Sequence, residues 1–297
     1  MSSSVEVIKA PTGAEIRLIP PRGVLEKLRH RVRLLASGKV CVDPPLDLRL
    51  PSTRFTFEVD VVVDDGCPAC PTAVELLAEL ASMYGNVVVA VYNASHTEPP
   101  FSPALLPAFR INRAVEYEGL PHDMDSVARV FEELFLEAYV ETHPRAEWLR
   151  KRVEEFAKYH GYALCPSRRM YMRVVAALLR SIDEYGHPYC PCRPLKKPAE
   201  ATPEQIYALN RDRECPCIYS HMEIRSAGRC RCGLLWSRAK AKEYLRRRAR
   251  EYGWALKQLD RVARELEELR TRVLTGGVRV ALDRVVNRLM ALYAVRD

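Results

Sequence analysis

The sequence predicts an α/β domain followed by a mainly α-helical domain and a C-terminal helical hairpin, a fold class we write as α/β plus α. Three observations support this. Residues 55–92 pass from a Val-rich strand pattern to a helical pattern and back to a strand pattern. Residues 142–189 show apolar side chains at helical spacing. Residues 252–273 carry a heptad seam between charged side chains.

We divide the chain into four segments on this basis: an N-terminal extension (1–51), an α/β domain (52–141), a helical domain (142–236) and a C-terminal helical hairpin (237–297). A length of 297 residues with 48% apolar side chains is enough for two cores. In the extension, residues 5–8 and 15–19 read as short strands that pair, and residues 24–35 have helical periodicity. We assign the extension no role.

Charge is unevenly distributed along the chain, whose overall net charge is +8. The four segments carry net charges of +4, −11, +7 and +8 in chain order. Opposite fields favour docking between parts of one protein and steer acidic partners toward basic surfaces. A basic protein also raises the question of nucleic acid, which competes here with acidic protein partners.

The sequence contains neither a secretory leader pattern nor a run of about 18 apolar residues that could cross a membrane. We therefore expect a cytoplasmic protein without a membrane partner. In a reducing compartment, clustered cysteines are more often metal ligands or redox catalysts than structural bridges.

The first cysteine motif is Cys67-Pro68-Ala69-Cys70, placed between a predicted strand (55–63) and a predicted helix (71–84). A strand (86–92), a hairpin (108–112 and 115–118) and a helix (124–139) follow. A thiol at a helix N-terminus has a lowered pKa because it lies at the positive end of the dipole. Cys67 is then the attacking thiolate and Cys70 the thiol that resolves the mixed disulfide. The alternative, half of a zinc knuckle, lacks its second half nearby.

This order of elements resembles the thioredoxin and glutaredoxin superfamily over residues 52–141. Leu106-Pro107-Ala108-Phe109 stands where that family has its cis-proline. The resemblance implies that Pro107 lies against the Cys67/Cys70 pair. Residues 95–103 depart from the family, because they are too rich in proline for its usual second helix.

Three cysteine doublets, each with C-x-C spacing, follow in residues 190–232: Cys190/Cys192, Cys215/Cys217 and Cys230/Cys232. The intervals between them are 22 and 12 residues. One tetrahedral zinc or one cubane cluster takes four thiolates, so two of the six sulfurs are left over. Zinc remains an alternative, because cysteine count alone does not identify a metal.

Together with the preceding Tyr185-Gly186-His187-Pro188-Tyr189, the doublets resemble the catalytic chain of ferredoxin:thioredoxin reductase over residues 145–236. The resemblance implies a 4Fe-4S cluster held by four cysteines: Cys190, Cys215, Cys217 and Cys230. It also implies that Cys192 and Cys232 form the redox-active disulfide beside the cluster. The family's last doublet contains a histidine thought to handle a proton, whereas this chain has Arg231, which cannot relay one at neutral pH. His187 and His221 are candidates to replace it.

The C-terminal segment lacks cysteine and is predicted to form two helices separated by Thr275-Gly276-Gly277. Its apolar seam can pack on the body of the protein or on another copy, which gives a homodimer. The basic run Arg246-Arg247-Arg248 suggests nucleic-acid binding as an alternative function of this segment. We do not expect it, because no aromatic platform is interleaved with the run. We expect the isolated cysteines, Cys41 and Cys165, to take no part in catalysis.

The leading hypothesis is a ferredoxin-dependent disulfide reductase. Electrons pass from ferredoxin through the cluster to Cys192/Cys232, then to the chain's own Cys67/Cys70, and finally to thioredoxin-like or other disulfide proteins. The alternative from another class is a zinc-stabilised binding protein whose basic tail contacts nucleic acid. A third hypothesis keeps the cluster and makes the Cys67/Cys70 domain a regulatory receiver.

Overall fold

The structure is a computed structural model that describes residues 4–272. Within this range the chain forms eight β-strands, eight α-helices and one short 3-10 helix. It divides into two compact units. Among the described residues, the first unit contains residues 4–150 and 175–189, and the second contains residues 151–174 and 190–272.

The first unit is built on a mixed β-sheet flanked by helices. Its elements are β1 (Glu6–Lys9), β2 (Glu15–Ile19), α1 (Val24–Ala36), β3 (Phe57–Val63), α2 (Cys70–Met83), β4 (Val87–Asn93), β5 (Ala108–Ile111), β6 (Val115–Glu118) and α3 (Met124–Thr142). Six described strands form the sheet in the order β1-β2-β4-β3-β5-β6. Strand β4 runs parallel to both β2 and β3, and the other neighbours are antiparallel.

The core of the first unit follows from the strand and helix patterns. Val59, Val61 and Phe57 of β3 are at most 2% exposed, as a central strand requires. Helices α1 and α2 pack against each other, and α3 packs on β5 and β6. The predicted strands and helices between residues 55 and 139 are confirmed, with ends that differ by at most three residues.

The predicted N-terminal extension supplies two strands of this sheet. The predicted pairing of its two strands is confirmed, since Glu6 of β1 lies opposite Leu18 of β2. Strand β2 then pairs in parallel with β4, where Glu15 lies opposite Val88. Residues 1–51 therefore contribute to the same unit as the Cys67/Cys70 motif. Alternation identifies a strand but not its neighbour, so the sequence alone did not place them there.

Glu79 is a buried carboxylate that holds the connection between α1 and β3. It lies in α2, is 5% exposed, and accepts hydrogen bonds at 3.4 Å from the backbone N–H groups of Val42 and Leu46. Burial raises the pKa of Glu79 above its ordinary value of 4.5, although the two N–H groups oppose the shift. The connection is thus anchored through one oxygen atom.

We expect Glu79→Gln to leave the protein at least as stable as the wild type at pH 7. A group with a raised folded pKa contributes its full stability below its unfolded pKa, near 4.5, and loses it as the pH rises through the folded pKa. Glutamine keeps an oxygen acceptor and carries no charge. Urea unfolding at pH 4 and pH 7 checks this: the benefit of the substitution should appear only at the higher pH. A larger loss at pH 7 than at pH 4 would contradict it.

The second unit is mainly helical. From α4 onward the elements are α4 (Ala146–His160), β7 (Ala163–Leu164), α5 (Arg168–Tyr185), α6 (Pro203–Asn210), the 3-10 helix (Arg211–Arg213), α7 (Ser220–Ala227), β8 (Leu235–Trp236) and α8 (Arg238–Arg272). Strands β7 and β8 pair antiparallel. Both α4 and α5 cross the boundary between the units. The second unit includes residues 151–160 of α4 and residues 168–174 of α5.

Cys165 belongs to a small apolar cluster beside the β7–β8 pair. It is 8% exposed and packs with Trp236 and Ala241. Burial raises the pKa of its thiol. Cys165 is thus enclosed, whereas Cys41 is exposed, and the prediction that neither takes part in catalysis stays a prediction.

The first helix of the predicted C-terminal hairpin is present as α8, which extends from Arg238 to Arg272. The predicted break at residues 275–277 and the second helix lie outside the described residues, so the hairpin and the homodimer stay predictions. In the part of the chain that the structure describes, no helix combines the length and apolar character needed to cross a bilayer.

Candidate redox site

The three cysteine doublets of the second unit lie in loops that backbone hydrogen bonds join. The N–H of Cys190 donates to the carbonyl of Arg213 at 2.9 Å, which ties the first doublet to the entry of the second. At the start of α7, Ser220 donates both its N–H and its hydroxyl to the carbonyl of Cys217. Arg152 Nε donates to the carbonyl of Cys215 at 3.1 Å. Hydrogen bonds from Cys190, Ser220 and Arg152 thus fix the loops of the first two doublets.

The third doublet sits in a tight turn before β8. The N–H of Gly233 donates to the carbonyl of Cys230 at 2.9 Å, and Gly233 has a φ of 82°, a conformation that favours glycine. The N–H of Leu235 donates to Cys230 Sγ at 3.2 Å. A backbone N–H directed at sulfur stabilises negative charge on that sulfur.

The structure brings the six predicted sulfurs together. The two sulfurs of the first doublet are 3.1 Å apart and those of the third are 3.5 Å apart. Cys190 is also hydrogen-bonded to Cys217 and Cys232. All six are free thiols, including Cys192 and Cys232, which are hydrogen-bonded to each other and not joined by a disulfide. Within residues 4–272 no group of three or more His, Cys, Asp or Glu side chains is arranged to hold a single metal ion.

Burial divides the six cysteines into four and two. Four are between 2% and 5% exposed: Cys190, Cys215, Cys217 and Cys230. Cys192 and Cys232 are only partly buried. The two less buried thiols are the last members of the first and third doublets. Solvent and partner proteins therefore have better access to them.

The chemistry of the four buried thiols fits a cationic iron–sulfur group. Burial raises the pKa of Cys215 well above its usual range, and the charges of Cys190 and Cys230 add to that effect. The pKa of Cys217 is raised by its hydrogen bond to Cys190 and then by burial. Thiols crowded in this way cannot all ionise alone, whereas a bound metal centre deprotonates its thiol ligands.

An ionic and aromatic brace joins the three doublets. The Arg193 guanidinium lies 4.0 Å above the ring of Tyr219 and forms an ion pair with Glu223. The other oxygen of Glu223 accepts the backbone N–H of Arg231 at 2.8 Å. Partial burial lowers the pKa of Arg193, but the charges of Glu223 and then Cys192 outweigh it and raise that pKa. We call Arg193, Tyr219, Glu223 and Arg231 the doublet brace.

Sequence reasoning missed three members of the doublet brace: Arg193, Tyr219 and Glu223. The available signal was proximity in sequence, since Arg193 directly follows Cys192 and Tyr219 lies two residues after Cys217. Arg231 was noted for its side chain, but the brace uses its backbone N–H. Arg193 and Arg231 lie in separate loops, and Tyr219 and Glu223 lie at and in α7, so only the fold shows that these residues meet.

Of the two histidines considered as proton donors, His221 is engaged by aromatic neighbours. Its Nδ1 lies 2.7 Å from the hydroxyl of Tyr162, and its ring meets that of His160 edge to face at 4.4 Å. Burial lowers the pKa of His221, followed by the charges of His160 and Arg225. His187 lies in the first unit, where its ring is 5.8 Å from that of Tyr189.

The Cys67/Cys70 pair forms a disulfide in the first unit. Cys70 is the first residue of α2 and is fully buried, whereas Cys67 is partly exposed. The Leu106–Pro107 peptide bond before β5 is cis, as the resemblance to the thioredoxin and glutaredoxin superfamily implies. Residues 95–103 contain no helix, which is also as predicted. The more exposed sulfur is therefore the one predicted to attack.

Comparison with known proteins identifies the segment that holds the doublets. Residues 140–260 match the sequence model of the family described as ferredoxin thioredoxin reductase catalytic beta chain. The resemblance to that family is confirmed. The ferredoxin–thioredoxin reductase catalytic chain of Porphyra purpurea is 33% identical over 89 residues, which are 30% of this chain. The chain spans 66% of the length of that relative. We call residues 140–260 the matched segment.

Two solved structures show slight likeness to the chain. Sso1120 from Sulfolobus solfataricus has a TM-score of 0.25 and 17% identity, covering 35% of this chain and 65% of its own. The NTD_N/C domain of the alkylhydroperoxide reductase AhpF from Enterococcus faecalis has a TM-score of 0.29 and 16% identity, covering 40% of this chain and 58% of its own. These values assign neither a fold nor an activity.

Proposed function

We propose that the protein is a ferredoxin-dependent disulfide reductase whose matched segment holds a 4Fe-4S cluster. Its ligands are the four buried cysteines: Cys190, Cys215, Cys217 and Cys230. The exchanging pair is Cys192 and Cys232. The observation that carries the proposal is the division of the six thiols by burial, because ligands of a cluster need shielding and a pair that attacks other proteins needs access.

The bound cluster supplies one-electron chemistry, which connects a donor that gives single electrons to a disulfide that takes two. The chain's own residues then carry out thiol exchange. The Cys192 thiolate attacks a target disulfide, forms a mixed disulfide and releases one target thiolate. Cys232 attacks Cys192 Sγ and releases the second. Two reduced ferredoxins supply the two electrons, and the two released thiolates take protons from solvent.

The doublet brace supports the role of Cys192 as the attacking thiol. Arg193 directly follows Cys192, and Glu223 holds its guanidinium over Tyr219. The Arg193 guanidinium and a negative charge on Cys192 attract each other, which contributes to the raised pKa of Arg193. Arg231 cannot relay a proton. We therefore assign the stabilisation of negative charge near this pair to Arg193 and assign no histidine as proton donor.

We infer that the first target is the chain's own Cys67/Cys70 disulfide, in a thioredoxin-like domain over residues 52–141. Linkage in one chain raises the effective concentration of this disulfide. The −11 charge of residues 52–141 complements the +7 charge of residues 142–236. Cys67 and Cys70 then pass electrons to thioredoxin-like or other disulfide proteins, in the reducing cytoplasm. If electron transfer ended at Cys67/Cys70, the domain that carries this pair would be a regulatory receiver.

Anaerobic purification followed by metal analysis and titration with reduced ferredoxin tests the proposal. We expect a brown protein with about four iron and four sulfide per chain, because four thiolates hold one cubane cluster. Ferredoxin should then generate new thiols, counted by alkylation. The control is Cys215→Ser, which should lose iron. A colourless wild-type protein with bound zinc would exclude the reductase and favour the zinc-stabilised binding protein.

A further inference from the structure

The loop of residues 64–66, which precedes Cys67, is hydrogen-bonded to the segment that follows β4. Asp64 accepts hydrogen bonds from the hydroxyl of Ser95 at 2.7 Å and from the N–H of Gly66 at 2.8 Å. The N–H of Asp65 donates to the same Ser95 hydroxyl at 3.1 Å. The carboxylate of Asp64 and the backbone N–H of Asp65 thus both have partners within the fold.

The carboxylate of Asp65 interacts with three parts of the first unit. Its Oδ2 lies 2.9 Å from His96 Nε2, and its Oδ1 accepts the Asn93 side-chain amide at 2.8 Å. Asn93 is fully buried, and its amide also donates to the carbonyl of Arg22 at 3.0 Å. The end of β4, the segment after it and the entry to α1 are therefore joined through one carboxylate.

The third element is helix α1. Asp65 Oδ1 accepts the N–H of Val24, the first residue of α1, at 2.8 Å, so this carboxylate satisfies an N-terminal N–H of that helix. Gly23 permits the approach: a Cβ at this position would lie 2.1 Å from Asp65 Oδ1, and the φ of Gly23 is 59°. Hydrogen bonding to the Val24 N–H, then to Asn93, lowers the pKa of Asp65, so it stays ionised.

Cys67 is connected to this carboxylate through a short backbone path. The N–H of Cys67 donates to the carbonyl of Asp64 at 3.3 Å, and the N–H of Cys70 donates to the carbonyl of Cys67 at 3.4 Å. Asp65 lies between Asp64 and Gly66 in this turn, two residues before Cys67, so the hydrogen bonds of Asp65 fix the backbone that leads to the reacting sulfur. Attack on a disulfide requires alignment of three sulfurs, and a displacement of about 1 Å can slow a reaction about 100-fold.

We propose that Asp65 is a positioning residue for the Cys67/Cys70 pair, and that helix α1 and His96 act on the pair through Asp65. This inference rests on the proposed exchange role of that pair and gives the N-terminal segment a part in it. Asp65 touches no reacting atom. It fixes the loop from which Cys67 attacks, and the geometry of its hydrogen bonds, not its charge, is what matters.

The step to be measured is exchange with glutathione disulfide. The Cys67 thiolate attacks one sulfur of glutathione disulfide, forms a mixed disulfide and releases one glutathione thiolate. Cys70 then attacks Cys67 Sγ, re-forms the Cys67–Cys70 disulfide and releases the second glutathione. The pair loses two electrons and glutathione disulfide gains them.

The experiment uses the full chain with the Cys67/Cys70 pair reduced. Every variant compared also carries Cys192→Ser, which removes the proposed exchange between the doublets and this pair, and acid quenching, alkylation and peptide mass spectrometry then follow Cys67 and Cys70. We expect Asp65→Ala to slow exchange about tenfold and Asp65→Asn to stay within about twofold of wild type, because asparagine still accepts from Val24 and Asn93. The equilibrium with glutathione gives the reduction potential, which should shift in Asp65→Ala and return in Asp65→Asn.

Asp123→Ala is the matched control. Asp123 caps α3 by accepting the N–H of Ser126 at 2.8 Å, so its loss removes a comparable helix cap from the same unit without touching the loop before Cys67. We expect a similar fall in melting temperature and an unchanged exchange rate. If Asp65→Ala fails to fold, His96→Ala carries the test with an expected slowing of about threefold.

Three results would overturn the inference: unchanged exchange in Asp65→Ala (or in His96→Ala where that variant carries the test), equal slowing in Asp123→Ala, or an Asp65→Asn variant as slow as Asp65→Ala. Failure of the proposed function looks different. If ferredoxin cannot reduce the wild-type chain while Asp65→Ala still slows exchange with glutathione disulfide, the reductase proposal fails and the positioning role stands.

Discussion

Cys192→Ser is expected to abolish reduction of the Cys67–Cys70 disulfide by ferredoxin, with a loss of at least about 1,000-fold, since serine is no substitute for a thiolate nucleophile. The variant should retain its iron, because the four buried cysteines remain. The measurement is anaerobic titration with reduced ferredoxin, followed by alkylation of Cys67 and Cys70 and peptide mass spectrometry.

Cys41→Ser is the matched control, because Cys41 is exposed and lies in neither cysteine motif. It should behave as the wild type. Cys67→Ser leaves Cys70 as a single thiol and should not change reduction of the Cys192/Cys232 pair. If the Cys67–Cys70 disulfide is reduced as fast in Cys192→Ser as in the wild type, the internal relay is wrong.

Asp183→Ala is expected to lower the free energy of unfolding of the first unit by about 3 kcal/mol, because it leaves several buried polar groups unsatisfied. Asp183, near the end of α5, accepts the hydroxyl of Tyr139 at 2.6 Å and that of Ser52 at 3.2 Å. Its other oxygen lies 2.9 Å from His143 Nε2. Tyr139, Ser52 and His143 are at most 7% exposed.

The protonation of this network follows from its partners. The Nδ1 of His143 accepts the N–H of Arg145 at 3.0 Å, so the ring proton is on Nε2 and is donated to Asp183. Burial and the bond to Asp183 raise the pKa of Tyr139, which therefore remains a donor. Alanine removes the acceptor that all three groups share.

Urea unfolding followed by tryptophan fluorescence measures the effect in the first unit when Trp236 and Trp254 of the second unit are replaced by phenylalanine in every variant compared, so that Trp148 alone is observed. The control is Glu184→Ala, the neighbouring exposed residue of the same helix, which should change stability by less than about 0.5 kcal/mol. Equal stability of Asp183→Ala and Glu184→Ala would show that the network contributes nothing. Asp183→Asn should fall between the wild type and the alanine variant, because its single oxygen can still accept.

The elements around the Cys67/Cys70 motif were predictable because their signals are local. Val-rich strands, the proline after Cys70 and the glycine after the helix all act within a few residues. The position of β2 beside β4 was not predictable, since residues 15–19 carry an alternation that any neighbouring strand would satisfy. Pairing between strands about 70 residues apart depends on the whole sheet.

At the cysteines the sequence identifies the residue types and their spacing. Their burial, which separates Cys192 and Cys232 from the other four, depends on loops held by Arg152, Ser220 and Arg213 and appears only in the fold. The same holds for Glu223, 30 residues from its partner Arg193. Side chains that meet across loops leave no periodic signal in the sequence.

The place of β2 in the sheet limits where the protein can be divided. In the intact first unit, β4 has neighbours on both sides, and β2 covers it from Val88 to Tyr92. A fragment starting at residue 52 would leave the N–H and C=O groups along that edge unpaired, and a bare valine-rich edge is a template for self-association. A minimal carrier fragment for thiol exchange must therefore begin before β2.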